Sequence, residues 1–325
     1  MMKILGSIAA LIGVALLTAL TAYYGFGSVL HAVASAGWGA VLVVVMRAVS
    51  LAAAGLGWWI LLIPPTPCRP LPFIGIRFIR EAINILMPFA VVGGDVIGAR
   101  LIAQRGVVGG SQALASVLID IFVQVVCLLI FVLTGLGALT GRTDNPELTA
   151  AIWLILGIAT PAVAGFFLAL NFGAVEPIMR RLIEFGEHRR WAVFARVAGL
   201  GENLQLIWRN HFGIAGSFLI HMALLFINAT EVSIALAFMG HPVNFAAAVA
   251  IESFGQASRA AAFPLPGGLG VQDGTLIAAC LVFDVPAEVA LALALVKRIA
   301  DLALAVPALV VWQGLEGRRL LSKRK

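Results

Sequence analysis

The feature that most constrains this chain is a series of apolar runs, each about as long as a bilayer is thick. Six runs have this length: Ile4–Tyr24, Gly37–Ile63, Gln112–Leu139, Thr149–Leu170, Ile214–Met239 and Pro286–Trp312. About 20 apolar residues in a helix cross the ~30 Å hydrocarbon core. Charged residues make up 12% of the chain, against roughly 25% in soluble domains. The sequence predicts an all-α, polytopic integral membrane protein with about six full spans, forming one transmembrane domain over residues 1–325.

The first run also permits a second interpretation, as a signal peptide. Ala19–Ala22 weakly resembles a cleavage site. The apolar stretch is longer than the roughly 7–15 residues of a signal-peptide core. We expect a retained first helix.

Three further segments are apolar but do not read as simple spans. Residues 71–87 alternate apolar positions with Arg77, Arg80 and Glu81, a pattern typical of an amphipathic helix at the membrane interface. Residues 176–210 are rich in arginine and predict cytoplasmic surface helices. Residues 245–283 form two apolar pieces separated by the Pro/Gly-rich stretch Pro264–Gly270.

Charge assigns the sides of the membrane. The arginine-rich loops 64–110 and 172–212 and the basic tail are expected in the cytoplasm under the positive-inside rule. Both termini are then cytoplasmic. With six spans, both termini lie on that side only if residues 245–283 enter and leave the membrane on the external side. The sequence therefore predicts a re-entrant helical hairpin there, since irregular backbone at membrane depth must line a cavity or be covered by protein.

Two helix breaks resemble each other. The first runs from Pro88 through Gly93-Gly94 to Asp95, and the second from Pro266 through Gly267-Gly268 to Asp273. Opposed broken helices in two halves indicate a transporter binding site and a possible inverted repeat, because half-helix N-termini attract anions. The alternative is that glycine and proline only kink packed helices.

Charged residues within apolar segments are expensive, at roughly 2.5–3.5 kcal/mol each on insertion scales. The chain has eight: Arg47, Asp120, Glu231, Glu252, Arg259, Lys297, Arg298 and Asp301. Glu252, Gln256 and Arg259 share one helix face. Lys297 and Asp301 have the spacing of a pair that neutralises itself within one helix, which leaves Arg298 for another partner, an acid of the broken helices or a lipid phosphate. Asp120 with Gln124 also fits a polar clamp between helices.

Signatures of enzymes and cofactor sites are missing from the sequence. It contains no G-x-S-x-G, H-E-x-x-H or phosphate-binding loop motif, and its cysteines and histidines lack metal-ligand spacing. The net charge of +6 is distributed over loops, so it does not indicate nucleic-acid binding. We expect no catalytic activity, no cofactor and no metal, with a membrane lipid as ligand.

At the two breaks the chain resembles a known family. Asn84-x3-Pro88-x4-Gly-Gly-Asp95-x4-Arg100, Ala113–Gln124 and Phe263-Pro-Leu-Pro-Gly-Gly-Leu-Gly-Val-Gln-Asp-Gly274 look like the flippase-like transmembrane domain of lysylphosphatidylglycerol synthases. They are most similar to its stand-alone hopanoid-biosynthesis-associated branch. The resemblance implies a bacterial inner-membrane protein that binds or translocates lipids. The chain ends soon after its last span, so we expect no aminoacyl-transfer domain.

The resulting hypothesis is a lipid-binding or lipid-translocating protein, with hopanoids among the candidate lipids. The alternatives are a non-transporting scaffold for lipid-synthesis proteins and, less favoured, an intramembrane enzyme acting on head groups. A transporter should hold a polar cavity near mid-membrane that Asp95, Arg259, Asp273 and Arg298 all reach. A scaffold needs no such cavity. The candidate lipid-binding residues are Asp95, Arg100, Asp120, Glu252, Arg259, Pro266, Gly267, Gly268, Gly270, Gln272, Asp273 and Arg298.

Overall fold

The computed structural model describes residues 26–62, 68–86, 93–139, 199–262 and 270–322, with isolated helical positions between 157 and 168. These residues form helices joined by turns. In chain order the helices are α1 (Phe26–Ile60), α2 (Leu71–Leu86), α3 (Gly93–Gln104), α4 (Gly110–Leu139), α5 (Leu200–Trp208), α6 (His211–Phe238), α7 (Phe245–Ala261), α8 (Val271–Val282) and α9 (Ala287–Ser322). The predicted all-α class is confirmed.

Three of the described helices are long and apolar enough to cross a membrane. They are Ala36–Ile60 within α1, Gly110–Leu139 (α4) and His211–Phe238 (α6). The backbone leaves helical geometry at Gly37, with φ 41° and ψ −119°, so the span within α1 begins at this kink. The predicted last span lies within α9, whereas the run 4–24 and most of 149–170 lie outside the described residues. The count of six spans stays a prediction.

The two predicted breaks separate pairs of shorter helices. Helices α2 and α3 pack together, and so do α7 and α8. Helix α8 has 12 residues, which at 1.5 Å per residue gives about 18 Å, too short for a ~30 Å core. This length is consistent with a re-entrant element, and the side of the membrane on which it enters stays a prediction.

The surface and the interior divide by polarity in an unusual way. Large apolar side chains on the span candidates are exposed, including Val45, Val49, Leu133 and Leu219, while Arg80, Asp120, Glu231 and Glu252 are buried to within 1%. A water-soluble protein would reverse this arrangement, because exposed apolar patches drive association. The helices therefore present apolar faces to lipid and enclose charge.

Helix α2 turns its polar residues inward. Phe73, Ile76, Ile79 and Ile83 are buried in the core, and Arg80 is buried beside them. The helix packs against α1, α3 and α9. Its amphipathic pattern thus supplies charge to the protein interior, and its expected place at the membrane interface stays a prediction.

Candidate functional site

A polar cavity of about 260 Å³ lies between five helices. It is lined by residues of α1, α2, α4, α6 and α7: Arg47, Ser50, Leu51, Ala54, Arg77, Glu81, Gln124, Cys127, Leu128, His221, Leu224, Leu225, Asn228, Gln256 and Arg259. Arg47, Gln124 and Leu224 stand near the midpoints of the three span candidates. The cavity therefore lies level with the middle of these helices. If the helices span a bilayer, this is the depth at which charged side chains are costly unless they are paired or hydrated.

Arginine dominates the charge of the cavity wall. Arg47, Arg77 and Arg259 line it together with a single carboxylate, that of Glu81. Arg259 Nη2 donates to Glu81 Oε1 at 2.6 Å, and Arg77 Nη2 donates to Gln124 Oε1 at 3.1 Å. Three guanidinium groups and one carboxylate therefore face the cavity, while the other acids that pair with Arg47 and Arg77 lie outside its lining.

Behind the wall, Arg80 holds two acids from different helices. Its Nε donates to Asp95 Oδ1 of α3 at 3.0 Å, and its Nη1 donates to Asp120 Oδ2 of α4 at 3.1 Å. Its guanidinium lies 4.7 Å from the centre of the Trp58 ring, a cation–π contact. Gly98 faces the Arg80 side chain so closely that a Cβ there would lie 2.6 Å from its Cγ. The absence of a side chain at Gly98 on α3 therefore leaves room for the Arg80 side chain.

Asp120 is the most heavily bonded acid of the group. Besides Arg80 it accepts from Arg77 Nη1 at 3.4 Å and from Gln124 Nε2 at 2.9 Å. Its second oxygen lies 3.0 Å from His221 Nε2. The polar clamp expected for Asp120 and Gln124 is present, and it extends across three helices. Through Asp120, Asp95 is connected to the cavity-lining Arg77.

The predicted polar face of α7 is confirmed. Glu252 Oε1 accepts from Gln256 Nε2 at 2.7 Å, while Gln256 and Arg259 line the cavity. The expected neutralisation of Lys297 by Asp301 is wrong, because Lys297 Nζ bonds Glu252 Oε2 at 2.6 Å and Asp301 lies 3.4 Å from Arg47 Nε. A neighbouring helix offers each side chain a partner, so local spacing does not decide the pairing.

Of the two partners predicted for Arg298, the structure shows the first, an acid of the broken helices. Arg298 Nε and Nη2 donate to the two oxygens of Asp273, at 3.2 and 3.1 Å. Asp273 also accepts from the Gly270 N–H at 3.0 Å, and Gly270 has the positive φ of 79°. Gln272 and Asp273 border a smaller pocket with Lys297, Arg298 and Asp301. The start of α8 is thus capped by a side chain of its own first turn.

The start of α3 is satisfied in a similar way. The Gly94 N–H donates to Asn84 Oδ1 at 3.1 Å. At the two breaks these N–H groups therefore have protein partners. The groups suited to an anion are the arginines of the cavity and not these helix termini.

The expectation that Asp95, Arg259, Asp273 and Arg298 all reach one cavity is wrong, because only Arg259 among them lines it. Asp95 pairs with Arg80 behind the wall, and Asp273 pairs with Arg298 at the smaller pocket. Asp95, Asp273 and Arg298 each form an ion pair away from the cavity, so they do not converge with Arg259 on a common space. Arg100 is exposed on α3, and Pro266, Gly267 and Gly268 lie outside the described residues.

The sequence did not single out the contribution of α2. Arg77, Arg80 and Glu81 were assigned to a membrane surface, and each is within the polar interior. Their spacing of three and four residues puts them on one helix face, which was visible in the sequence. The direction in which that face points was not visible in the sequence, because lipid head groups and a polar cavity favour the same side chains.

The arrangement suits a hydrated anion. A volume of 260 Å³ holds roughly nine water molecules at about 30 Å³ each, enough for a small polar head group but not for acyl chains. Arginine forms planar, two-pronged hydrogen bonds with phosphate. Among the described residues no cluster of His, Cys, Asp and Glu could hold a metal ion.

Comparison with known proteins gives one match. Residues 6–308 match the family model described as the lysylphosphatidylglycerol synthase TM region. No curated protein and no solved structure matches the chain.

Proposed function

We propose a function from the family to which the chain belongs, the lysylphosphatidylglycerol synthase transmembrane family. This family ties the chain to lipid biosynthesis or modification in a membrane. In this proposal the chain binds the anionic head group of a membrane lipid in the central cavity and translocates the lipid in the manner of a flippase. We place it in the bacterial inner membrane with both termini in the cytoplasm. We propose that it is not itself an enzyme. Hopanoid lipids are candidates through the resemblance to the hopanoid-associated branch.

One observation carries the proposal: Arg47, Arg77 and Arg259 line a cavity of about 260 Å³ at the middle of three apolar helices. A scaffold gains nothing from enclosing three guanidinium groups there, since each lowers the stability of the inserted protein. A lipid phosphate crossing the bilayer, by contrast, needs compensating charge at that depth. The acyl chains would remain against the apolar outer faces of the helices.

The test is translocation of a fluorescent phosphatidylglycerol in vesicles containing the purified full-length protein. Dithionite added outside quenches the outer leaflet, so the protected fraction reports crossing. Arg259→Gln removes one cavity-lining cation. A hydrogen bond to a charged group contributes about 1.5–3 kcal/mol, so we expect the rate to fall about tenfold or more at 1.4 kcal/mol per tenfold.

Arg105→Gln is the matched control. Arg105 is exposed in the turn after α3, so this substitution removes the same charge outside the cavity. We expect it to translocate at the wild-type rate. Equal rates in the two variants would refute the role of the cavity. Absence of translocation in the wild type, together with no saturable binding of phosphatidylglycerol, would leave the accessory scaffold as the better assignment.

A further inference from the structure

Glu231 of α6 is a buried carboxylate with incomplete compensation. Its residue is 1% exposed, and neither of its oxygens accepts a hydrogen bond among the described residues. Its nearest cation is Arg47, whose Nη2 lies 3.5 Å away. That guanidinium is shared with Asp301, 3.4 Å from Arg47 Nε. Two carboxylates therefore depend on one arginine.

Five of the other six interior acids in the described helices accept hydrogen bonds from cationic side chains, while Asp301 shares Arg47 with Glu231. Glu81 accepts from Arg259, Asp95 from Arg80, Glu252 from Lys297 and Asp273 from Arg298. Asp120 has several donors. A buried ionised group without hydrogen bonds is strongly unfavourable and is relieved when it binds a proton. Glu231 is the acid to which this applies.

The count of interior charges supports the same conclusion. The ion pairs above join six cations, Arg47, Arg77, Arg80, Arg259, Lys297 and Arg298, to seven carboxylates, Glu81, Asp95, Asp120, Glu231, Glu252, Asp273 and Asp301. Within the part of the chain that the structure describes, the carboxylates of these pairs outnumber the cations by one, and an anionic head group would add a further negative charge. Uptake of one proton restores the balance.

The charges around Glu231 favour a proton over a metal ion. Arg47 of α1, Lys297 and Asp301 of α9 and Glu252 of α7 all act on it electrostatically. A metal cation between Glu231 and Asp301 would lie against the Arg47 guanidinium, which repels it. A proton on the Glu231 carboxylate needs no such space.

His221 is the other buried group on α6 that could hold the proton, since His211 at the start of the helix is exposed. Its Nε2 lies 3.0 Å from Asp120 Oδ1. Asp120 is already bonded by Arg77, Arg80 and Gln124, so its charge is compensated with a neutral imidazole. This makes Glu231 the stronger site and His221 the comparison that a test must include.

We infer that Glu231 is a proton-binding site whose protonation accompanies anion binding in the cavity, so that lipid movement is coupled to protons; the coupling rests on the proposed function. Arg47 is the physical link, since it contacts Glu231 and also lines the cavity. When Glu231 is ionised, it attracts the Arg47 guanidinium. When a proton from water neutralises the carboxylate, Arg47 keeps Asp301 beside its Nε, and the Nη2 that faced Glu231 can bond a phosphate.

The proton site is tested without transport. Infrared difference spectra of the full-length protein in lipid nanodiscs, recorded across a pH titration, report protonated carboxyl groups. We expect one titrating carboxyl band that disappears in Glu231→Gln and persists in His221→Gln and Asp301→Asn. Glu231→Asp keeps a titrating group, so it should shift the band, and it serves if the glutamine variant does not fold. A band unchanged in both Glu231 variants overturns the inference.

The coupling is tested in the phosphatidylglycerol vesicles with an imposed proton gradient. We expect a gradient to change the wild-type rate several-fold and to leave the rate of Glu231→Gln unchanged. A wild-type rate that is equal with and without the gradient overturns the coupling. If no lipid crosses under any condition while the carboxyl band still titrates at Glu231, the proposed function has failed and the proton site stands.

Discussion

Replacing Gly98 with alanine tests the packing that holds Arg80 in place. A Cβ at position 98 would lie 2.6 Å from both Cγ and Cδ of Arg80, whereas carbon atoms normally approach to about 3.5–4.0 Å. Arg80 cannot swing aside, because it is 1% exposed and bonded to Asp95 and Asp120. Overpacking of this kind costs about 1–3 kcal/mol.

Gly75→Ala is the control for this substitution. Gly75 lies within α2, and a Cβ there has nothing within 4 Å. Both changes gain the same preference of alanine for a helix, so their difference isolates the clash with Arg80. At roughly 2 °C per kcal/mol for a chain of a few hundred residues, we expect Gly98→Ala to melt about 2–6 °C below Gly75→Ala.

The assay uses the protein's own thiols. Cys127 and Cys280 are fully buried, so a thiol-reactive fluorescent dye reaches them only on unfolding in detergent. Cys68 is partly exposed and is replaced by serine in every variant. Equal melting temperatures for the two alanine variants would refute the reasoning. So would a full penalty for Gly98→Ala in an Arg80→Ala background, where the clashing atoms are absent and a coupling energy should appear.

Three further predictions concern the second half of the chain. Lys297→Gln leaves buried Glu252 without its cation, which costs about 3–5 kcal/mol for a broken buried pair, so it should lower the melting temperature well below that of the exposed-site control Arg105→Gln; equal melting temperatures would contradict this. A cysteine at Asp284 should be labelled by an impermeant reagent from outside only, and labelling from the cytoplasm alone would remove the re-entrant hairpin. Gly268→Val should abolish lipid translocation while the protein still reaches the membrane, and retained translocation would make this turn a simple linker.

Much of the fold followed from hydrophobicity alone. The span within α1 begins at Ala36, one residue before the predicted Gly37. Helix α2 occupies 71–86 against a predicted 71–87, and two pieces of the 245–283 segment are separate helices. Lipid imposes these features locally, because a run of apolar residues at membrane depth has to satisfy its own backbone hydrogen bonds. The positions of these helices therefore do not depend on contacts with neighbouring helices.

The partners of the buried charges were a different matter. From spacing alone, Lys297 was paired with Asp301 four residues away, and the charges of α2 were assigned to the membrane surface. The structure instead bonds Lys297 to Glu252, 45 residues distant in sequence, and Arg80 to Asp120, 40 residues distant. A charged side chain several ångströms long reaches whichever opposite charge the packing brings near it. The sequence determined that the charges within the apolar segments need partners or water, and only the tertiary structure decided which helix supplies each partner, that the charges of α2 join them, and where the cavity between them lies.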